Sequence, residues 1–276
     1  MTSATPNFLD NATANDPYYS HPDGFSLLKG DSLELLEQLE GEQFDLIFAD
    51  PPYFLSNDGV TCKNGRMVSV NKGKWDKSQG AEDNHAFNLR WLEQCQRLLK
   101  PNGSIWVTGT HHVIFSIGYA MQVLGFKVLN DISWFKVNPP PNLSCRYFTH
   151  STETIIWAGR DWDTRHTFNY KQMKEMNEGK QMKSMWSIMA PRKKEKVQGK
   201  HPTQKPLQLL ERIVLASTEP GQLILDPFSG SGTTGVAAAR HGRRYVGMEM
   251  NDEYLDLSIR RYEAELPEEQ EVALAL

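Results

Sequence analysis

Apolar positions in this chain follow two alternating periods from residue 25 onward. Short, mainly apolar runs at Phe44–Ala49 and Gln222–Leu225 are typical of strands buried in a parallel sheet. Between such runs, leucines recur at helical spacing in Ser32–Leu39, where Ser32 is the expected N-cap, and in Pro206–Ser217. The alternation predicts the α/β fold class, a mostly parallel sheet covered by helices on both faces.

The same reasoning places the other elements. A helix whose apolar face runs from Phe87 to Leu98 is expected to end at Pro101-Asn102-Gly103, because proline and glycine terminate helices. Phe126–Lys136 and Thr154–Trp157 are expected to form an antiparallel hairpin at one edge of the sheet, separated by a proline-rich loop. Further strands and helices are predicted at Phe25–Lys29, Ile105–Val107, His112–Leu124, Gly232–Arg240, Tyr245–Met248 and Asp252–Glu265.

Two segments fall outside this alternation. Residues 1–22 are rich in Asn, Asp, Pro, Thr and Ser, which predicts a flexible N-terminal tail. Residues from about 160 to 200 interrupt the rhythm of strands and helices, which predicts an insertion there. The remaining chain, 23–276, has the length of one large domain.

Composition narrows the class of protein. Hydrophobic residues make up 39% of the chain and charged residues 23%, a balance typical of soluble globular proteins. No uninterrupted apolar stretch approaches the roughly 20 residues that span a bilayer, and the N-terminus lacks the pattern of a secretory signal. Three widely spaced cysteines form no Cys-x-x-Cys pair, so neither a disulfide framework nor a zinc site is indicated. We therefore expect a cytoplasmic protein with no membrane partner and no metal.

The net charge of −4 hides an uneven distribution. From Lys171 to Lys200 there are nine Lys or Arg residues against three Glu, and Phe54–Gly80 holds five basic residues against two Asp. The segment from Glu249 to the C-terminus is acidic, with nine Asp or Glu residues against two arginines. Basic segments within an acidic chain favour a localised contact with a polyanion, although solvated surfaces would have the same composition.

A glycine-rich turn follows one predicted strand, at Asp226-Pro-Phe-Ser-Gly-Ser-Gly232. Its glycines let the backbone approach a ligand, and the next helix directs its N-terminus towards the same place. Glu249 ends the next strand and is positioned to accept hydrogen bonds from two ribose hydroxyls. Gly230-x-Gly232-x-x-Gly235 also matches the dinucleotide fingerprint, but only 41 residues follow Gly235, too few for a second nucleotide-binding half downstream.

A second motif with chemically active side chains, Asp50-Pro51-Pro52-Tyr53, follows the predicted strand Phe44–Ala49. The two prolines remove two backbone donors and stiffen the turn, so that neighbouring carbonyls can face outward as acceptors. A carboxylate, an outward carbonyl and an aromatic ring together suit a flat ring that carries an exocyclic amine. Ligands in open α/β sheets bind beyond the carboxyl ends of the strands, where both motifs are expected.

Asp50-Pro-Pro-Tyr53 together with Asp226-Pro-Phe-Ser-Gly-Ser-Gly232 resembles the amino-methyltransferases of DNA, which transfer a methyl group from S-adenosylmethionine to an exocyclic base nitrogen. The catalytic motif precedes the cofactor loop, an order that resembles the circularly permuted beta class. The resemblance extends from about Phe25 to Tyr262 and includes Thr152–Trp157 and His201-Pro-Thr-Gln-Lys-Pro206. It implies a Rossmann-like methyltransferase fold over 23–276, with a mobile loop at 54–80 and an inserted target-recognition region at about 160–200.

The resemblance also implies roles for individual residues. In the family, the first motif carboxylate and the following proline carbonyl accept both N–H bonds of the amine, and the aromatic residue stacks on a base flipped out of the duplex. The catalytic residues implied are Asp50, Pro51, Pro52 and Tyr53. The cofactor-binding residues implied are Asp31, Asp226, Phe228, Ser229, Gly230, Ser231, Gly232, Thr233, Glu249, Thr203 and Lys205.

Within that set, Asp31 is expected to bind the adenine amine of the cofactor and Glu249 its ribose. Asp226 is expected to anchor the loop, whereas Thr203 and Lys205 are expected to meet the amino-acid end, where a lysine suits a carboxylate. DNA contacts are expected from the two basic segments, through phosphates and base edges. The DNA-binding residues predicted are Lys72, Lys74, Lys183, Arg192, Lys193, Lys194 and Lys196.

The expected activity is site-specific transfer to N6 of adenine in DNA, double-stranded or single-stranded, directly and without a covalent intermediate. N4 of cytosine or an amino group of RNA are alternatives, with adenine favoured because the family associates Asp at the first motif position with adenine. A dinucleotide-dependent oxidoreductase and a catalytically silent DNA-binding module are further alternatives. Carbon-5 cytosine transfer is disfavoured because none of the three cysteines follows a proline. The resemblance further implies a cognate restriction endonuclease and a homodimer as partners.

Overall fold

The structure is a computed structural model. It describes residues 16–55, 60–63, 66–69, 76–139, 141–142 and 144–266. Within these residues the strands are β1 (Tyr19–His21), β2 (Phe25–Lys29), β3 (Phe44–Ala49), β4 (Val60–Lys63), β5 (Arg66–Ser69), β6 (Leu99–Gly109), β7 (Lys127–Phe135), β8 (Thr152–Gly159), β9 (Met185–Ser187), β10 (Leu223–Asp226) and β11 (Arg244–Glu249). The helices are α1 (Ser32–Gln38), α2 (Ala81–Leu98), α3 (Ile114–Val123), α4 (Tyr170–Glu175), α5 (Leu207–Ser217), α6 (Thr233–Arg240), α7 (Asp252–Glu263) and a short 3-10 helix (Lys193–Lys196).

One nine-stranded sheet organises the molecule, in the order β1-β2-β11-β10-β3-β6-β8-β7-β9. The five strands from β2 to β6 in this order run parallel, whereas β8 is antiparallel to both β6 and β7. The predicted Rossmann-like α/β fold and its antiparallel hairpin are therefore confirmed. Because β10 pairs with both β3 and β11, the strand ends that carry Asp50, Asp226 and Glu249 become neighbours.

Helices cover both faces of this sheet. On one face, α1, α2 and α3 bury side chains such as Leu36, Trp91 and Ile117. On the other face, α4 to α7 bury side chains that include Leu210 and Tyr262. Burial of apolar surface stabilises the fold by roughly 25 cal/mol for each Å² removed from water. Helices packed on both faces therefore stabilise the sheet and the positions of its strand ends.

Several boundaries differ from those expected. Asp31, and not Ser32, caps α1, because its extended backbone lets the carboxylate accept bonds from Leu33 N and Glu34 N. The helix α2 ends at Leu98, as expected, but β6 begins at Leu99 and not at Ile105, so that Pro101-Asn102-Gly103 lies inside the strand, where its register against β3 shifts. A bulge tolerates proline because no ladder hydrogen bond is required there.

The N-terminal boundary also needs correction. Tyr19–His21, inside the predicted tail, forms β1 and pairs with β2. His21 Nδ1 lies 2.8 Å from Tyr262 Oη on α7, which fastens this strand to the body of the protein. Residues 1–15 lie outside the described residues.

The segment 160–200 shares the main core. Its strand β9 pairs with β7 at the edge of the sheet, and Trp186 on β9 lies 5.9 Å from Trp106, ring centre to ring centre. Arg212 on α5 covers the Trp186 ring at 4.9 Å. Among the residues described, no helix is long and apolar enough to cross a membrane.

Candidate functional site

Chemically active side chains collect at the carboxyl edge of the parallel strands. Asp50 follows β3, Asp226 ends β10 and Glu249 ends β11. Since β8 runs antiparallel to β6, its beginning lies at this same edge and brings Glu153 towards Thr108 near the end of β6. The sheet topology thus brings residues that are distant in sequence to one place.

Asp50 is held through both carboxylate oxygens. Its Oδ1 accepts hydrogen bonds from the Tyr53 hydroxyl at 2.7 Å and the Thr108 hydroxyl at 2.6 Å. Its Oδ2 accepts a bond from Lys205 Nζ at 2.5 Å. Each carboxylate oxygen offers about two acceptor positions. Oδ1 is therefore filled by its two hydroxyl donors, and Oδ2 can accept one more bond.

Lys205 belongs to a buried charge network. Its Nζ lies 3.8 Å from Glu153 Oε2 and 3.3 Å from the Tyr53 hydroxyl, and Lys136 pairs with Glu153 from the other side. Burial lowers the pKa of Lys205, but the neighbouring carboxylates of Asp50 and Glu153 outweigh it and the pKa lies above its usual value. Lys205 is therefore a cation in this site.

Two cavities meet at Asp50. The larger has a volume of about 780 Å³ and the smaller about 500 Å³. Asp50 lines both, as do four residues of the loop before α5, which are His201, Thr203, Gln204 and Lys205. A ligand in one cavity could thus reach a ligand in the other across the Asp50 carboxylate.

The glycine-rich turn forms one wall of the larger cavity. Asp226 accepts bonds from Phe228 N at 3.0 Å and the Thr234 hydroxyl at 2.5 Å, which ties the start of the turn to α6. Gly230 and Gly232 adopt left-handed backbone conformations, with φ of +52° and +68°. Asp226 is 2% exposed, and both of these hydrogen bonds join it to the turn and to α6.

Glu249 lies opposite the turn. Its Oε2 accepts a bond from Gly230 N at 3.0 Å, and its Oε1 accepts one from Asn251 N at 2.9 Å. Burial raises the pKa of Glu249, and its backbone hydrogen bonds counteract part of that effect. A carboxylate accepts about four hydrogen bonds in all, so Glu249 keeps capacity for hydroxyl donors of a ligand.

Asp226 gives the protein a characteristic response to pH. Burial raises the pKa of Asp226 to about 7, although its two hydrogen bonds oppose the shift. The folded protein then holds a proton that the unfolded chain has released, so stability falls as pH rises from about 4 to 7, with a maximal slope of about 1.4 kcal/mol per pH unit. Asp226→Asn should remove this slope, which denaturant unfolding at several pH values will measure. An unchanged slope would contradict the assignment.

Gly232 should tolerate no side chain. A Cβ there would lie 2.7 Å from Ser258 Cβ, in addition to the left-handed strain of about 1–2 kcal/mol. Gly242 is a matched control, because its φ is +69° and no atom lies within 4 Å of its Cβ position. We expect Gly232→Ala to lower the unfolding free energy more than Gly242→Ala. Equal losses in chemical denaturation would show that the Ser258 contact is unimportant.

Most of the predicted cofactor residues line the larger cavity. They are Asp31, Thr203, Lys205, Asp226, Phe228, Ser229, Gly230, Ser231, Thr233 and Glu249. Gly232 shapes the turn as the N-cap of α6. Asp31 also has a structural role as the cap of α1. Lys205 has a partner that was not expected, because its Nζ contacts Asp50.

The predicted catalytic turn separates the cavities. Pro51 and Tyr53 line the smaller one, whereas Pro52 lines the larger. Trp134 also lines the smaller cavity, which therefore offers two aromatic side chains to a flat ligand. Burial raises the pKa of Tyr53 well above its usual value, so its hydroxyl remains a donor to Asp50.

The predicted DNA contacts divide into three groups. Lys196 lines the smaller cavity. Lys183, Arg192, Lys193 and Lys194 are exposed, and Arg192 and Lys194 line a separate cavity beside α5 and α7. Lys72 and Lys74 lie outside the described residues. The structure thus brings one of these cations to the site itself.

Four residues of the site were not predicted from the sequence. Thr108 and Glu153 contact the Asp50 network, and Asp76 accepts bonds from Tyr53 N at 3.0 Å and Leu55 N at 3.2 Å. The fourth is His201, whose ring would lie 3.1 Å from a Cβ atom added to Gly230. The signals were a threonine and a glutamate inside apolar strands and an aspartate in a polar loop. Within the described residues, no three His, Cys, Asp or Glu side chains are grouped for a metal ion.

Comparison with known proteins agrees with this geometry. The model of the DNA methylase family matches residues 44–260. The Type II methyltransferase M2.DpnII of Streptococcus pneumoniae is 54% identical over 250 residues, covering 90% of this chain and 93% of that protein. The crystal structure of the M1.HpyAVI–SAM complex superposes with a TM-score of 0.61 at 25% identity, covering 86% of this chain and 98% of that one.

PvuII DNA methyltransferase, described as cytosine-N4-specific, shares the fold, with a TM-score of 0.73 at 22% identity over 93% of this chain and 91% of its own. The family model covers well over half of this chain, and the similarity to M2.DpnII extends over nearly all of it. The predicted enzyme class is thereby confirmed: the chain belongs to the DNA methylase family and is a DNA methyltransferase.

Proposed function

We propose that the protein transfers a methyl group from S-adenosylmethionine to N6 of an adenine flipped out of DNA. The observation that carries this proposal is the position of Asp50 in the wall shared by two cavities. A methyl donor in the larger cavity and a base in the smaller one would meet at this carboxylate. Pairing two reactants in fixed geometry removes much of the entropic barrier to transfer.

The larger cavity suits the cofactor. Its volume of about 780 Å³ lies within the range of about 300–1,000 Å³ typical of ligand sites. Glu249 offers a carboxylate for ribose hydroxyls, and the backbone of Ser229–Ser231 lines the same wall. When bound, S-adenosylmethionine supplies a methyl group on a sulfonium, and the electron pair of the broken C–S bond stays on sulfur.

Asp50 and Pro51 act on the base. The amine of adenine is a poor nucleophile because its lone pair is delocalised into the ring. The open position on Asp50 Oδ2 and the Pro51 carbonyl accept its two N–H bonds and direct the lone pair at the methyl carbon. The nitrogen becomes positive as the N–C bond forms, the Asp50 carboxylate stabilises that charge, and one N–H proton then leaves to Asp50 or to water.

Adenine is proposed over cytosine because Asp50 occupies the first motif position, which the family associates with adenine. A specific observation keeps N4 of cytosine as the second candidate: the fold is shared with a cytosine-N4-specific enzyme. Both bases present an exocyclic amine, so the residue roles above are the same. The product nucleoside distinguishes them.

DNA is proposed to approach the smaller cavity from the side of the segment 160–200, the proposed target-recognition region. Lys196 lines that cavity, and Lys183, Arg192, Lys193 and Lys194 are exposed on the same segment. Cations of this kind contact phosphates, which fixes the register of the protein on the duplex. Base flipping costs a few kcal/mol, which such contacts would offset. Lys72, Lys74 and the closing loop at 54–80 are proposed to contribute further DNA contacts.

A homodimer is proposed through α3. Phe115, Tyr119 and Val123 are spaced four residues apart on this helix and are 75%, 61% and 57% exposed. Exposed apolar stripes of this kind mark interaction surfaces. Phe115→Glu should lower the sedimentation coefficient from that of a dimer to that of a monomer, whereas Trp162→Glu, at an exposed aromatic residue elsewhere, should not. A monomeric wild type would contradict the proposal.

The cellular setting is proposed from the relatives. A cognate restriction endonuclease is proposed because M2.DpnII is named a Type II methyltransferase. Cytoplasmic residence is proposed with it, since such an enzyme must reach the DNA of its cell.

Transfer of a labelled methyl group tests the function. Purified protein is incubated with tritiated S-adenosylmethionine and either unmethylated DNA or total RNA, with Asp50→Ala as the blank. The proposal predicts label in DNA that depends on Asp50. Label in RNA alone, or binding of NADP in place of S-adenosylmethionine, would contradict it.

A further inference from the structure

Lys205 is one of the predicted cofactor residues, yet its shortest hydrogen bond is to the carboxylate of Asp50. Its Nζ lies 2.5 Å from Asp50 Oδ2, and its position over the Tyr53 ring, 5.3 Å from the ring centre, brings it into the wall between the cavities. The side chain is 8% exposed. One of the three N–H donors of the Lys205 ammonium is thus already committed to Asp50 within the protein.

We propose that Lys205 is a positioning residue for Asp50: it holds the carboxylate ionised and oriented so that one acceptor position on Oδ2 faces the target amine. This inference rests on the proposed function and extends it. Thr108 and Tyr53 fill Oδ1 from one side, and Lys205 occupies one of the two positions on Oδ2 from the other. The three donors together fix the plane of the carboxylate.

The charges around Asp50 explain why a cation is needed. Glu153 lies near the same lysine, and Asp226 faces the site from β10. The Tyr53 hydroxyl is neutral, and Lys136 neutralises Glu153 from β7. Among the described residues, Lys205 is the cation that pairs directly with Asp50, whereas Lys136 pairs with Glu153 and Lys196 lines the same cavity. Without Lys205, Asp50 would lose that pair and would still share the site with Glu153. Like charges in such a site favour the protonated form of one of them.

A protonated Asp50 would fail in two ways. It would have no negative charge to stabilise the positive nitrogen that forms during transfer. Its acidic proton would also occupy a position at which the amine should donate. Removal of Lys205 should therefore make catalysis dependent on high pH and should spare cofactor binding.

The test measures single-turnover methyl transfer to unmethylated DNA against pH, with saturating S-adenosylmethionine. In Lys205→Met, the acid limb of the pH–rate profile should lie about one pH unit or more above that of the wild type. On the acid limb, the rate at a given pH should therefore fall by at least about tenfold. Lys205→Arg should keep the wild-type limb because it keeps the charge. Lys205→Gln, which keeps a polar side chain in the buried site, should shift the limb as the methionine variant does.

Two controls make the result decisive. Lys136→Met removes a cation that touches Glu153 but not Asp50, so its shift should be less than half as large. The dissociation constant for S-adenosylmethionine, from calorimetry, should change by less than about threefold in all Lys205 variants. An unmoved acid limb together with a tenfold weaker cofactor complex would overturn the proposal and make Lys205 a cofactor ligand. Absence of transfer by the wild type would instead contradict the proposed function.

Discussion

Asp50→Ala should abolish methyl transfer and leave the cofactor bound. The carboxylate is the acceptor for the target amine and the counter-charge for the nitrogen that becomes positive, so we expect a fall of about a thousandfold or more in the single-turnover rate. The substitution leaves Glu249 and the glycine-rich turn, which line the larger cavity, unchanged. Affinity for S-adenosylmethionine should therefore stay within about threefold of the wild type. Rapid-quench assays and calorimetry measure the two quantities.

Asp45 offers the matched control for this experiment. It lies on β3, the strand that Asp50 follows, at the end away from the cavities. It is buried, and its carboxylate pairs with Lys100 at 2.8 Å and accepts a hydrogen bond from Leu223 N at 2.9 Å. Asp45→Asn should lower stability, because a buried ion pair loses one partner, and should leave the rate per folded molecule unchanged. Near-normal transfer by Asp50→Ala would contradict the mechanism.

Glu249→Ala should cause the largest loss of cofactor affinity. Two hydroxyl bonds to a charged acceptor contribute about 1.5–3 kcal/mol each, so the dissociation constant should rise by about two orders of magnitude or more. The substitution also removes the acceptor for Gly230 N, which loosens the turn that lines the cavity. Isothermal titration with S-adenosylmethionine measures the change.

Glu249→Gln separates these two effects. The amide oxygen can still accept the bond from Gly230 N, but the negative charge is lost. We expect an intermediate affinity and a rate at saturating cofactor close to that of the wild type. An unchanged dissociation constant in Glu249→Ala would show that the ribose lies elsewhere in the cavity.

The strands and helices of this protein were predictable because their hydrophobic periods are local. Phe44–Ala49 and the turns after β3 and β10 have clear signatures in the chain. The errors arose where pairing between strands decides the outcome. Pro101 lies inside β6 because a bulge against β3 accommodates it, and Tyr19–His21 is ordered by β2. Neither of these strand pairings can be predicted from the neighbouring residues in the sequence.

The centre of the site was predictable in part for the same reason. Asp50 and Glu249 end buried strands, so their location followed from the topology of a parallel sheet. Thr108 reaches Asp50 because β6 pairs in parallel with β3, and Glu153 lies nearby because β8 runs antiparallel to β6. The contact between Lys205 and Asp50 depends on the loop before α5, which is distant in sequence. Polar residues inside apolar strands next to a catalytic strand are the signal that could have identified them.

The Asp50 site is proposed to methylate N6 of adenine. Unmethylated DNA incubated with the protein and S-adenosylmethionine is digested to nucleosides and analysed by mass spectrometry. We expect N6-methyladenine and no other methylated base, and no methylated base at all with Asp50→Ala. N4-methylcytosine in its place would contradict the assignment of the base.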